Sequence, residues 1–342
     1  MRIIHVLTTD TFSGLERYAV DVSTVLAARG HEVLVAGGDP AAMRDRLPTT
    51  VHWAPGATLT EAFTTLRAAG RVDVVHSHIT KADFAAFAAA PWSRAARVST
   101  RHINAARGYT RFARLAARPV RATLRAEIAV SRFTADALPD GRPDEVLLNG
   151  VADVPAHRIA RDRTVLIAQR LSAEKDTSVG LEGFALSSLA RNGWRLLIAG
   201  RGDERVLLEQ LSHQLGIADH VDFLEWVDDM ESLYETAGIL LATAPAEPFG
   251  LTVLEAAAHA LPVLAAGSGG HLETVGSLPA AALFTPKDPR SVAEELSKLA
   301  VDADRRAAYG AELRTLQQQR FTLMEHVEKL ESLYRRAVSG AS

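Results

Sequence analysis

Short β-branched and apolar runs alternate with longer stretches of helical periodicity, and the alternation passes through the chain twice. IIHVL (3–7), EVLVAG (32–37), VDVVHSH (72–78), ARVST (96–100), EIAVS (127–131) and EVLLN (145–149) read as strands, with apolar-periodic helices such as 15–29 and 60–69 between them. Strands separated by helical lengths pair in parallel, and near-continuous apolar runs are covered on both faces. After NGVADVPAHRIARDR (149–163), whose glycine, proline and mixed charge mark a linker, the pattern restarts. TVLIAQ (164–169), RLLIAG (195–200), VDFLEW (221–226), GILLAT (238–243) and PVLAAG (262–267) form the second series. The expected fold is α/β, with two doubly wound domains facing across a cleft. They span 1–152 and 153–320, and the amphipathic helix within 321–342 is expected to pack back toward the N-terminal domain. In such sheets ligands bind beyond the carboxyl ends of the strands, near helix N-termini.

Bulk composition narrows the function. A chain of 342 residues with 47% hydrophobic content can bury a large core. No apolar run approaches the roughly 18 residues of a membrane span, and MRIIHVLTTD lacks signal-peptide features, so a cytoplasmic protein is expected. Cysteine is absent, which excludes disulfides, thiolate catalysis and cysteine-type zinc sites. The net charge of -3 hides an asymmetry: residues 1–150 hold 19 Lys and Arg against 14 Asp and Glu. Nine arginines fall between Arg94 and Arg125 with no acidic residue among them. Phe112, Leu115, Val120 and Leu124 are spaced there loosely like one helix face, interrupted by Pro119. The segment reads either as a solvated helix docked on its own domain or as a weak peripheral contact with anionic membrane or a phosphorylated acceptor at the inner membrane face. Nucleic acid is not expected, because clustered lysines and interleaved aromatics are missing.

Several residues stand where chemistry would be placed. The first strand is followed by TTDTFSGLERY, whose single glycine falls short of the three in a dinucleotide fingerprint, so NAD is not expected. Ser13 and Gly14 mark a loop tip that either touches a substrate or serves as a plain N-cap. In AQRLSAEKD, Arg170 and Lys175 lie at the carboxyl end of a strand, where two cations suit a diphosphate. Glu247 and Glu255 lie eight residues apart in AEPFGLTVLEAAAHALP, an otherwise apolar stretch where an unpaired carboxylate would be costly. The backbone N–H groups of Phe249, Gly250 and Leu251 open the helix between them. A polyhydroxylated ligand would satisfy both carboxylates; the alternative is an internal arginine on Glu255 and a simple loop charge at Glu247. Asp228 and Glu231 have capping-box spacing, so the Asp228-Asp229 pair reads as a cap and no metal site is expected.

Together these stretches resemble a known family. E-P-F-G-L-x-x-L-E is similar to the E-x7-E motif of family 4-like retaining glycosyltransferases with the GT-B fold, built from two Rossmann-like domains. SGLERYAVDVSTVLAARGHEV, DVVHSH, STRHIN, IAVSRFTADAL, LLNGVA, AQRLSAEKD, IAGRGDERVLLEQL and SGGHLETV match in order, from about Ile3 to the last helix. The resemblance implies transfer of a sugar from a nucleoside-diphosphate sugar, UDP-linked by preference or GDP-linked, to a glycan, lipid-linked or small-molecule acceptor. It implies no separate cofactor and no metal. Arg170 and Lys175 would bind the diphosphate, Glu247 the donor sugar, Glu255 the ribose, and Gly14 would approach the phosphates. His102 would lie near the reacting centre, while Ser13, His76 and His78 would line the acceptor side, and Glu273 matches an acidic position. Gln169, Asp176 and Glu225 depart from the family pattern by replacing glycines.

Three other readings use the same residues: an epimerase, a phosphorylase, or a non-catalytic nucleotide-sugar-binding protein. A hydrolase would need its two carboxylates about 5 to 9.5 Å apart on opposite sides of the bond, which one helix does not provide. Oligomeric state has no signature in the sequence.

Overall fold

A computed structural model describes residues 1–107, 111–139, 141–155 and 160–340, with 111–114 and 116 described for the backbone only. The chain divides into two compact units, one of Met1–Asn149 with Leu323–Ser342, the other of Gly150–Thr322. The sheet of the first unit comprises β1 (Arg2–Val6), β2 (Glu32–Ala36), β3 (Val51–Ala54), β4 (Val74–Ser77), β5 (Ala96–Arg101), β6 (Ala126–Ala129) and β7 (Glu145–Val146). The second unit's sheet comprises β8 (Thr164–Ala168), β9 (Arg195–Ala199), β10 (Val221–Glu225), β11 (Ile239–Ala242), β12 (Val263–Ala266) and β13 (Ala282–Phe284). Strand orders are β3-β2-β1-β4-β5-β6-β7 and β10-β9-β8-β11-β12-β13, and every pairing between these strands is parallel. Each is a doubly wound, Rossmann-like arrangement whose order reverses beside its first strand.

Two strands escaped the periodicity. VHWA of β3 alternates apolar and polar residues at an edge, and β13 is three residues long, so neither presents the continuous apolar run of a central strand. The centres do: VVHS of β4, AEIA of β6 and VLAA of β12 are buried throughout. In the second unit Leu166, Ile198, Leu240 and Leu264 pack with Phe184, Phe284 and Leu296 into one core. Pro119 does not break its segment: the helix runs from Arg111 to Ala122 with Pro119 inside it.

The helix Leu323–Ser339 belongs to the first unit. Its His326 Nδ1 donates to the Leu148 carbonyl (2.8 Å), and Arg29 Nε donates to Glu331 Oε2 (2.8 Å). Burying Val327, Leu330 and Tyr334 leaves Glu328, Lys329, Arg335 and Arg336 outward, the division expected of an amphipathic helix, while Glu331 is buried against Arg29. No helix among the described residues is long and apolar enough to cross a membrane.

Candidate functional site

In the second unit, the loops leaving the carboxyl ends of the adjacent strands β8 and β11 bring Lys175 and Glu247 together. Lys175 Nζ donates to Glu247 Oε2 at 2.6 Å, and the two side chains retain 21% and 17% exposure. Arg170, five residues before Lys175, turns instead to Glu174 (2.6 Å), in a pair 67% and 58% exposed. Ser172 Oγ also donates to Glu174, and this bond, reinforced by Arg170, holds the Glu174 carboxyl below its ordinary range. Glu255 accepts from the Tyr234 hydroxyl at 2.8 Å. Its partner is thus a tyrosine, not the internal arginine that was the alternative. All four side chains expected to meet ligand have protein partners.

The loops are braced from below. Gln169 donates its side-chain amide toward the Lys175 carbonyl (3.1 Å), Thr177 Oγ1 (2.9 Å) and Thr243 Oγ1 (2.7 Å), while Thr243 Oγ1 donates to the same carbonyl (2.7 Å). The glycine this glutamine replaces would carry no such brace. Asp176 and Glu225 explain the other two departures: both are left-handed, with φ of 53° and 56°, a conformation glycine adopts without strain. Glu225 lies near Arg205 (3.0 Å) and Arg201 (3.9 Å). On the Glu247 side, the Gly270 N–H donates to the Glu247 carbonyl (2.7 Å), and a Cβ at Gly270 would fall 2.5 Å from Phe249 Cα. The SGGH segment therefore supports the glutamate loop backbone to backbone. Its His271 is buried and held neutral by desolvation.

Two local expectations are corrected. The helix carrying Glu255 begins at Leu251 with left-handed Gly250 as its N-cap, so its first-turn donors are those of Gly250 to Val253. Phe249 precedes it, with its ring buried against Phe321. The cap of the helix Met230–Thr236 is Asp229, which accepts from Ser232 N (3.0 Å), while Asp228 accepts from Trp226 Nε1 (2.8 Å).

The first unit holds a different constellation. Ser13 caps the helix Gly14–Ala28, and Glu16 accepts from both the Ser13 N–H (2.8 Å) and its hydroxyl (2.7 Å). A Cβ on Gly14 would meet nothing within 4 Å, so this helix start is open. Register places His5 opposite His76, and His78 shares their face just beyond β4. His5 Nδ1 and His78 Nε2 lie 2.8 Å apart, His78 Nδ1 and His102 Nε2 3.1 Å apart. His76 is fixed between Tyr334 Oη (2.5 Å) and Thr100 Oγ1 (2.7 Å), and Tyr18 Oη meets His326 Nε2 (2.9 Å). Burial depresses every one of these histidines, His5 and His102 to about 3 and His326 to about 4, so all are neutral at pH 7.

His76 and His78 therefore do not line an acceptor surface, being 0% and 1% exposed. They stand behind His102, the partly exposed end of the chain. The third histidine, His5, was missed because IIHVL reads as core, and only strand register brings it to the others. His5, His76 and His78 are close enough for a metal. Yet both His76 nitrogens are engaged by Tyr334 and Thr100, and His5 and His78 are bonded to each other, so the arrangement fits a hydrogen-bonded chain better than a ligand set.

Behind this face Glu127 collects Arg101 (3.1 Å), Arg107 (2.7 Å) and Arg121 (2.8 Å), and Arg107 also reaches Asp83 (2.6 Å). Three of the nine arginines are thus consumed internally. Arg94, Arg118 and Arg125 are exposed, whereas Arg111 and Arg114 have side chains outside the described residues, as are 156–159 of the expected linker.

Two family models match in tandem, "Glycosyltransferase Family 4" over residues 12–153 and "Glycosyl transferases group 1" over 153–315. Anabaena HepE in complex with UDP and glucose superposes with a TM-score of 0.81 at 20% identity, covering 97% of this chain and 98% of that one. Sucrose-phosphate synthase from Thermosynechococcus elongatus gives 0.80 at 18% identity, with 100% of both chains covered. The fold is GT-B. The chain belongs to the family 4-like glycosyltransferases. Among its sequence relatives is the GDP-mannose-dependent alpha-(1-6)-phosphatidylinositol monomannoside mannosyltransferase of Mycobacterium tuberculosis, 33% identical over 168 residues, or 45% of this chain and 43% of that protein. An uncharacterized glycosyltransferase of Methanocaldococcus jannaschii is 32% identical over 143 residues, 41% of this chain and 36% of that protein. The alignments thus span less than half of each relative.

Proposed function

We propose that the chain is a retaining glycosyltransferase that moves a sugar from a nucleoside-diphosphate sugar to an acceptor hydroxyl in cell-envelope, glycolipid or natural-product glycoside synthesis. The observation that carries the reading is the meeting of Lys175 and Glu247 at 2.6 Å beyond β8 and β11, a cation and a carboxylate where doubly wound sheets receive ligands. A donor brings a phosphate for Lys175 and hydroxyls for Glu247, so it exchanges one ion pair for a charge-assisted contact on each side. The exposed Arg170–Glu174 pair is worth little and yields readily to a diphosphate. Glu255 with Tyr234 would take the ribose.

Leaving-group charge then develops beside Arg170, Lys175 and the first-turn amides, including those of Gly250 and Leu251; stabilising it is the main contribution of the site. These groups offset that charge without a metal. The anomeric bond to the diphosphate breaks, the acceptor oxygen bonds to the anomeric carbon, and the acceptor proton leaves with the diphosphate. Glu247 binds the sugar, and His102, backed by His78, contacts the sugar near the reacting carbon. Ser13 and Gly14 supply an open helix start for phosphate or acceptor oxygens. UDP-linked donors are favoured over GDP-linked ones, and HepE and the mannosyltransferase, whose names carry UDP and GDP-mannose, support both as probes. The acceptor is a glycan, a lipid-linked glycan or a small molecule, reached at the cytoplasmic membrane face with Arg94, Arg118 and Arg125 toward anionic lipid.

Incubating the protein with UDP- and GDP-sugars and mixed acceptors, with EDTA present, tests the reading. Acceptor-dependent release of nucleoside diphosphate, with the donor's anomeric configuration kept in the product by NMR, is expected. Donor consumption without an acceptor, or an inverted product, would overturn it.

A further inference from the structure

The edge of the first unit's sheet opposite His78 and His102 carries a second place where charge is unspent. There the amino ends of β4 and β5 and the approach to β6 border an open cavity of ≈ 740 Å³, within the size range of small-ligand sites. Arg71, Arg94, Arg97 and Arg125 line it, beside Trp92 and Val338. Several other arginines of this unit are paired with acids, as Arg101, Arg107 and Arg121 are on Glu127 and Arg29 on Glu331. Among the described residues none of these four has a carboxylate partner. The one acid in the lining, Asp73, turns its carboxylate to the backbone N–H of Arg2 (2.8 Å). Arg97 spends one N–H on the Thr123 carbonyl (3.0 Å), and its Nε is buried with no partner. Burial and then the charge of Arg125 hold its guanidinium below the ordinary range.

Four like charges around one hollow repel one another, and an anion removes that repulsion. Guanidinium forks match phosphate oxygens two at a time. Trp92 remains 60% exposed although Phe63 and Arg67 pack on it, which leaves an apolar wall for the organic part of a ligand. We propose that this cavity binds a phosphate ester carrying at least two negative charges, at a site separate from the sugar-donor loops. The proposal does not depend on the reading of those loops.

Trp92 reports on the site, and inorganic pyrophosphate is the soluble probe. Pyrophosphate is expected to change the tryptophan fluorescence of wild type and of Lys175→Ala alike, and the change is expected to vanish in Trp92→Phe. The double variant Arg94→Ala/Arg125→Ala alters two exposed side chains and is expected to melt with wild type. It should bind pyrophosphate at least about tenfold more weakly, the scale of lost charge-assisted hydrogen bonds. Vesicles of phosphatidylcholine with and without phosphatidic acid separate the two sources of the phosphate. Co-sedimentation of wild type, but not of the double variant, with the acidic vesicles indicates a lipid headgroup; pyrophosphate binding without co-sedimentation indicates a free phosphate ester. A fluorescence response that survives the double substitution, an equal response to sodium chloride at matched ionic strength, or no response to either probe would overturn the proposal.

Discussion

At the residue scale, the two units use their polar groups in opposite ways. Lys175 and Glu247 form a partly exposed ion pair that a ligand can open, whereas His5, His78 and His102 form a neutral chain, buried at His5 and His78 and partly exposed at His102. In the proposed reaction Lys175 would stand where leaving-group charge develops, so Lys175→Ala should lower kcat by on the order of a hundredfold while acceptor KM changes little. Steady-state kinetics check this, and an unchanged kcat would remove Lys175 from the reaction. The histidine chain has a direction. His5 Nε2 is buried without a partner, and an orphaned buried N–H is rarer than an orphaned acceptor. His5 therefore donates through Nδ1 to His78, His78 donates through Nδ1 to His102, and His102 is left presenting an Nδ1–H outward. Nitrogen-15 NMR of the imidazoles should find the Nδ1–H tautomer at His102, and His78→Ala should release that preference; an Nε2–H tautomer in the wild type would reverse the chain.

At the scale of elements, the loops at the carboxyl ends of β8 and β11 carry the proposed donor site, and the left-handed Asp176 and Glu225 mark where the chain departs from its family. Asp176 is left-handed at φ 53° and leaves Oδ2 buried without a partner. Glycine removes both costs but adds unfolded-state entropy, so Asp176→Gly should stabilise the protein by about 0.5–1 kcal/mol. A rise in the urea midpoint with an unchanged slope would show it, and a fall would mean that Asp176 supports the loop through contacts of its own. Position 176 was recognisable in the sequence as a lost glycine, but its φ was not. Short-range pattern gave most strands, the helices Gly14–Ala28 and Leu59–Ala68 to within a residue, and the placement of Arg170, Lys175 and Glu247 on strand-exit loops, because period and turn chemistry are local. What depends on register or on contacts distant in sequence stayed hidden: His5 opposite His76, the Gln169 amide beneath Lys175, Tyr234 on Glu255, and Glu127 gathering three arginines. Pro119 inside a helix shows local propensity overruled by tertiary setting.

At the scale of the whole molecule, the buried histidines set the acid limit of stability. Folded-state values of about 3 for His5 and His102 and about 4 for His326, with His76 and His78 also well below 6.5, mean that the unfolded chain binds more protons than the native one once pH falls under 6.5. Their contribution is fully present above about pH 6.5 and is lost as pH falls toward 3 to 4, at up to about 1.4 kcal/mol per pH unit for each histidine. Glu331, held at about 2 by Arg335 and Arg29, acts in the same direction but only below its ordinary 4.5. Buried Tyr18 and Tyr334 are raised above 10, so stability on the alkaline side is lost only as pH rises past 10. Melting temperature should therefore hold level from about pH 6.5 to 10 and begin to fall below 6.5. The onset is the discriminating feature, because carboxylates alone would leave the curve level down to about 4.5. Replacing His326 by glutamine, which keeps a hydrogen-bonding side chain but cannot titrate in this range, should make the decline between pH 6.5 and 4.5 shallower; an unaltered slope would mean that the histidine chain does not govern acid unfolding.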